Sequence, residues 1–88
     1  MAVSPYSIEF RPSAVKELAK IDSTHQQRIR GAIALLAQDP RPPAARSLRG
    51  RAGFRIPVGD YRVIYAINDG RLIVVVITIG HRRHVYRT

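Results

Sequence analysis

Apolar and polar residues alternate through Tyr6-Ser7-Ile8-Glu9-Phe10, the period-two pattern of a half-buried strand. The period then changes. Val15, Leu18 and Ile21 recur at helical spacing and predict an apolar stripe, on a helix opened by Pro12 with Ser13 suited to cap it. Asp22-Ser23 interrupts that stripe and suits the N-cap of a second helix, in which Ile29, Ile33 and Leu36 form the next stripe. This helix should stop near Asp39-Pro40, because a residue before proline avoids the α region. Residues 40–53, with three prolines and two glycines, read as irregular, and Leu48 is the expected anchor of a short turn there. Three strands follow, near Phe54–Val58, Tyr61–Asn68 and Arg71–Ile79. Gly59-Asp60 should turn the first pair and Asn68-Asp69-Gly70 the second, with glycine taking the positive φ.

The predicted order is β-α-α-β-β-β in a single domain spanning 1–88, an α+β fold. An antiparallel sheet carries a helical hairpin on one face. Leu72–Ile79 is apolar on both faces, so it belongs inside the sheet. Arg55 and Arg62 must then lie on the face away from the helices, which becomes concave and basic. At 88 residues the chain holds one core and not two. With no cysteine it has neither a disulfide framework nor a thiolate nucleophile, which suits a cytoplasmic setting. Glu9 and Arg11 interrupt any secretory h-region, and the longest apolar run is too short to span a bilayer, so a soluble protein is expected.

Charge sharpens the reading. The net is +9, from 15 basic residues against 6 acidic ones, and 13 of the basic residues are arginine. Residues 1–40 contribute +1 of this and residues 41–88 contribute +8. A guanidinium meets phosphate through two parallel hydrogen bonds and stacks on bases, so an arginine-rich half favours nucleic acid over a generic cationic surface. An acidic protein partner suits the same surface.

The sequence has no Walker loop, dinucleotide fingerprint or Ser-His-Asp arrangement. His81 and His84 have metal-like spacing, but Arg82 and Arg83 between them repel a cation, and no metal or other cofactor is expected. Asp60 and Asp69 fall in turns, where carboxylates ordinarily bond backbone. What remains is a cation-rich set with titratable rings. RNA cleavage by its own 2′-OH requires in-line geometry, an acceptor for the 2′ proton, a donor to the leaving oxygen and cations for charge growing on phosphorus. Arg55, Arg62 and Arg82 suit the last task, and His84 or Tyr86 a proton transfer. Tyr86 equally suits stacking on a base. Arg46, Arg49, Arg51, Arg83 and Arg87 are candidates to grip RNA phosphates around this set. The same residues fit a plain phosphate-gripping surface.

Taken in order, these stretches resemble the RelE/ParE superfamily of toxin–antitoxin toxins, and its RelE-like mRNA interferase branch in particular. The resemblance rests on Tyr6–Phe10 with Ala14–Ile21, on Leu48-Arg49-Gly50, on Gly59-Asp60-Tyr61-Arg62-Val63-Ile64-Tyr65 and on Gly80-His81-Arg82-Arg83-His84-Val85-Tyr86-Arg87. It implies a metal-independent endoribonuclease that cuts mRNA in the ribosomal A site and is restrained by an acidic antitoxin. Arg62 then corresponds to a phosphate-contacting, transition-state-stabilising arginine. Arg82 corresponds to a phosphate-stabilising arginine that doubles as a candidate acid, and Tyr86 to the tyrosine that orients the substrate nucleotide.

Arg55 falls at the first of two strand lysines common in the family, and Pro57 replaces the second, so one cation is missing. His84 would then either supply part of the lost basic function or stand as an exposed polar residue beside the site. Two other readings fit the same fold: a ParE-like gyrase poison without ribonuclease activity, and a non-catalytic basic module working in an antitoxin–repressor complex.

Overall fold

A computed structural model describes residues 5–81. Strand β1 (Ser7–Phe10) leads into helix α1 (Pro12–Ala19) and, after three residues, helix α2 (Ser23–Leu36). A two-residue strand β2 (Arg46–Ser47) precedes β3 (Phe54–Val58), β4 (Tyr61–Asn68) and β5 (Ile73–His81). The α+β architecture is that expected from the pattern, with two additions. The five strands run in the order β1-β5-β4-β3-β2, and β1 joins β5 in parallel, so the sheet is mixed rather than wholly antiparallel. The irregular segment also contributes β2, paired antiparallel to β3.

Helix residues Ala14, Leu18, Ile29, Ile33 and Leu36 pack against Ile56, Val63, Tyr65, Val74, Val76 and Ile79 on one face of the sheet. The apolar stripe of α2 is the expected one. That of α1 is rotated: Ala14 and Leu18 are buried, while Val15 is 52% exposed. Small Ala14 lets the helix approach β5 closely, where a β-branched residue would hold it off. Ser13 does not cap α1. Its Oγ donates to the Ile77 carbonyl (3.0 Å), and Glu17 Oε1 accepts from the Ile79 N–H (2.9 Å). Side chains of α1 thus satisfy the edge of β5 beyond the point where β1 ends, so polar backbone there is not left bare. At α2 the expected cap forms, Asp22 accepting from the His25 N–H. The helix closes at Leu36, earlier than the proline alone required.

The β4–β5 register slips between Ile64 and Tyr65, whose partners are Thr78 and Val76. Ile77 is the extra residue, and this bulge lets Val74, Val76 and Ile79 all face the helices despite their uneven spacing. The first turn is as predicted, with Gly59 at φ 60°. The second differs: residue 72, not Gly70, takes the positive φ, as Leu72 at 57°. Asn68 stabilises that loop by accepting from the Arg71 N–H (2.9 Å).

Asp69 also departs from expectation, because it binds side chains rather than backbone. It takes both guanidinium nitrogens of Arg41 (3.2 and 2.9 Å) and the Tyr6 hydroxyl (2.6 Å). These bonds hold the Asp69 carboxyl down at about 2, against an ordinary 3.8. A lowered carboxyl pKa adds stability that is present above the ordinary value and is lost as pH falls through the folded one. Asp69→Asn should therefore melt below wild type at neutral pH, and thermal melts should show the gap closing as pH falls from near 3.8 to about 2. The clamp is exposed, so the neutral-pH gap should be small and should shrink with salt.

Candidate nucleic-acid interface

The face away from the helices is built in two ranks across the sheet. Arg46 on β2 pairs with Arg55 on β3, Arg55 with Ile64 on β4, and Ile64 with Thr78 on β5. In the next rank Pro57 pairs with Arg62, and Arg62 with Gly80. Strand alternation sends the side chains of both ranks to the same side. Ile64, buried there, gives this face an apolar floor outside the helix-side core.

Ala44, Arg46, Arg55, Pro57 and Arg62 line an open cleft of about 200 Å³. Arg55 and Arg62 are half-buried and held by central strand backbone, and the Arg62 Nη1 lies 3.4 Å from the Tyr61 carbonyl oxygen. Arg46 is exposed but tethered, its Nη1 donating to the carbonyls of Pro43 (2.8 Å) and Ala45 (3.0 Å). Three guanidiniums line one cleft with no carboxylate among its lining residues, a positive field whose sign suits a polyanion.

Of the predicted residues, Arg55 and Arg62 therefore come together, and Arg46 joins them from a strand that the sequence pattern did not reveal. Arg49 and Arg51 lie in the exposed β2–β3 loop and do not line the cleft. That loop closes through Leu48, whose N–H donates to the Gly53 carbonyl (3.0 Å). A Cβ on Gly53 would meet Leu48 Cδ1 and the Tyr65 carbonyl, each at 3.1 Å, so the expected anchor packs onto glycine at φ 122°. Arg82, Arg83, His84, Tyr86 and Arg87 lie outside the described residues. No cluster of potential metal ligands occurs among the described residues.

Tyr65 and Arg41 also shape the site, and neither stood out in the sequence. The buried Tyr65 hydroxyl donates to the Pro40 carbonyl (2.7 Å), fixing the start of the loop that carries Arg46. Burial pushes this phenol up to about 12, so it stays protonated and keeps donating. Arg41 lies over the Phe54 ring at 5.5 Å while it holds Asp69. A buried tyrosine and a loop arginine carry no signal of such partners until the sheet brings them together.

The family profile described as the ParE toxin of the type II toxin–antitoxin system parDE matches residues 8–86. This chain belongs to that toxin family. Within the wider RelE/ParE superfamily, relatives bearing RelE-type names are similar along most of their length. The toxin is 31% identical to Toxin RelG of Mycobacterium tuberculosis over 91 residues, covering 94% of this chain and 98% of the relative. It is 29% identical to the mRNA interferase toxin RelE of Escherichia coli over 80 residues, covering 88% and 83%. Among solved structures, the intact E. coli RelBE toxin–antitoxin complex aligns with a TM-score of 0.78 at 29% identity, covering 86% of this toxin and 95% of the matched chain. The M. tuberculosis RelBE2 complex aligns equally well, at 27% identity. The superfamily named from sequence motifs is thus the correct one, and the toxin shares the RelE fold.

Proposed function

We propose that this toxin is a metal-independent endoribonuclease of the RelE kind, cutting mRNA in the ribosomal A site. The observation that carries the reading is the convergence of Arg46, Arg55 and Arg62 in one cleft on rigid sheet backbone. Similarity to relatives named mRNA interferases supports it. In this reading the scissile phosphate lies over the cleft and the 2′-OH of the preceding nucleotide attacks it in line. Arg55 and Arg62 stabilise the charge that grows on the phosphoryl oxygens. Arg82, two residues past Gly80 in the chain, adds a third cation and protonates the leaving 5′ oxygen. Tyr86 orients the nucleotide, and His84 takes over part of the basic role lost at Pro57. Arg49, Arg51, Arg83 and Arg87 grip flanking phosphates, and an acidic antitoxin restrains the toxin. Cytoplasmic action follows from a ribosomal substrate.

Arg46 belongs to this machinery as well, since it stands beside Arg55 on the strand next to Pro57. Arg46→Ala should lower single-turnover cleavage by about tenfold or more, and Pro57→Lys in that background should restore part of it. Equal rates in Arg46→Ala and wild type would remove Arg46 from the site.

Primer extension on programmed ribosomes tests the reading, with gyrase-mediated DNA cleavage assayed in parallel. Cuts within the A-site codon support it. Gyrase poisoning without RNA cleavage would favour the ParE-like reading, which the family match and Pro57 make the natural competitor.

A further inference from the structure

Pro57 is the one exposed residue of β3, and it lines the arginine cleft rather than standing beside it. None of the roles given to that cleft uses it, since a prolyl ring neither donates to a phosphate nor moves a proton. Strand alternation puts it on the same face as Arg55, two residues earlier, and the register sets it directly across from Arg62. Ala44 lines the same cleft from the loop before β2. The remaining side is open. Strand β2 begins at Arg46, opposite Arg55, so its ladder with β3 ends before Pro57 is reached. The Leu48 N–H donates to the Gly53 carbonyl on that side (3.0 Å), and alternation turns the backbone of Arg55 and Pro57 the same way. Position 57 thus faces an unpaired edge, where a residue without an N–H leaves no donor bare.

We infer that Pro57 and Ala44 form an apolar platform on which an RNA base stacks while Arg46, Arg55 and Arg62 hold the phosphate adjoining it. The inference rests on the nuclease reading and makes Pro57 a specificity residue of that site. Guanidiniums flank the prolyl ring along its own strand and across the sheet, at Arg55 and Arg62, so an anion held by them brings its neighbouring base over the ring. Phosphate contacts position a nucleotide and base contacts discriminate it. Neither Ala44 nor Pro57 carries a side-chain donor or acceptor, so this platform discriminates by the area a base covers. Every base has a flat face to offer, and the larger purine covers more of the ring than a pyrimidine. Replacement of a strand cation by Pro57 therefore alters what the cleft reads instead of merely subtracting charge. An acidic peptide would satisfy the three guanidiniums, but its carboxylates gain nothing from Pro57 and Ala44. A nucleotide supplies the anion and the apolar face in one ligand.

The test uses the full toxin and 2′-O-methyl dinucleotides, which carry one phosphate and cannot be cut by 2′-OH attack. In NMR titrations the ring protons of Pro57 should move upfield with the adenine dinucleotide, less with the uracil dinucleotide, and not with a dinucleotide lacking both bases. Pro57→Ser exposes only a solvated N–H at the open edge, so folding is preserved. It should weaken adenine-dinucleotide binding by about fivefold, the effect of uncovering a modest apolar area, and leave binding of the abasic ligand unchanged. Pro57→Phe restores a broad apolar face and should bind the adenine dinucleotide at least as tightly as wild type. On ribosomes, wild type and Pro57→Phe should favour a purine at one position adjoining the cut, a preference that Pro57→Ser loses. Equal affinity for the adenine and abasic ligands overturns the inference, as does equal behaviour of proline, serine and phenylalanine at position 57, the result expected if Pro57 were only a missing cation. Failure of the adenine dinucleotide to bind also overturns it. Absence of ribosomal cleavage by wild type would count against the nuclease reading alone, because dinucleotide binding is read without it.

Discussion

Arg62→Ala is expected to slow single-turnover cleavage of ribosome-bound mRNA by about 100-fold or more. Arg62 sits on β4 between Pro57 and Gly80, its side chain on the cleft face and its neighbours Tyr61 and Val63 on the helix face. Removing the side chain leaves the helix-side core untouched, so the melting temperature should stay close to wild type. A group that stabilises charge appearing only in the transition state lowers the chemical rate and leaves ribosome affinity nearly unchanged. Arg62→Lys keeps the charge but loses the two-pronged geometry, and should recover only part of the rate. A rate loss matched by an equal loss of ribosome binding would instead make Arg62 a docking residue.

The largest effect on stability should come from Tyr65→Ala. Tyr65 is the largest fully buried side chain among the described residues, stacked on Phe54 with ring centroids 5.8 Å apart. Deleting a buried aromatic ring costs about 4 kcal/mol, close to the whole stability of a small domain, which is roughly 5–15 kcal/mol. The variant should be largely unfolded at 37 °C. Tyr65→Phe separates ring from hydroxyl. It should cost about 1 kcal/mol in urea titrations, the net value of one buried hydrogen bond. Losing the bond to Pro40 should also loosen residues 40–45, visible as faster amide exchange at Ala45, whose N–H donates to the Pro42 carbonyl (2.9 Å). Because that loop leads into Arg46, Tyr65→Phe should slow cleavage modestly even where the protein is fully folded.

The parts of this fold that were legible in the sequence are those whose pattern is repeated and local. Ile29, Ile33 and Leu36 could occupy only one helical face, and Asp22-Ser23 was the pair placed to cap it, of which Asp22 takes the role. Arg55 and Arg62 were placed on the basic face by strand alternation alone. The β5 bulge was hidden because Leu72–Ile79 is apolar on both faces apart from Thr78, and one threonine is too little to mark a slipped register. The parallel partner of β1 was equally hidden, since pairing over more than 60 residues leaves no local trace. Val15 misled for a different reason: hydrophobicity favoured it, but close packing of α1 on β5 favoured the smaller Ala14. The second turn chose Leu72 over Gly70 for its positive φ, because the loop runs through residue 72 before β5 begins. As for the site, Arg46 was recognised as a phosphate contact from its charge, but its place beside Arg55 depends on a two-residue strand too short to show in any pattern.

In the proposed reaction the cleft positions an RNA phosphate for attack by the neighbouring 2′-OH. It is tested most directly by programming ribosomes with an mRNA carrying a single 2′-deoxy nucleotide at the mapped A-site cut. The all-ribose message should be cleaved efficiently, leaving a 2′,3′-cyclic phosphate, with no cleavage at the deoxy position. Cutting at the deoxy position, or failure to cut the all-ribose message by folded toxin, would contradict it.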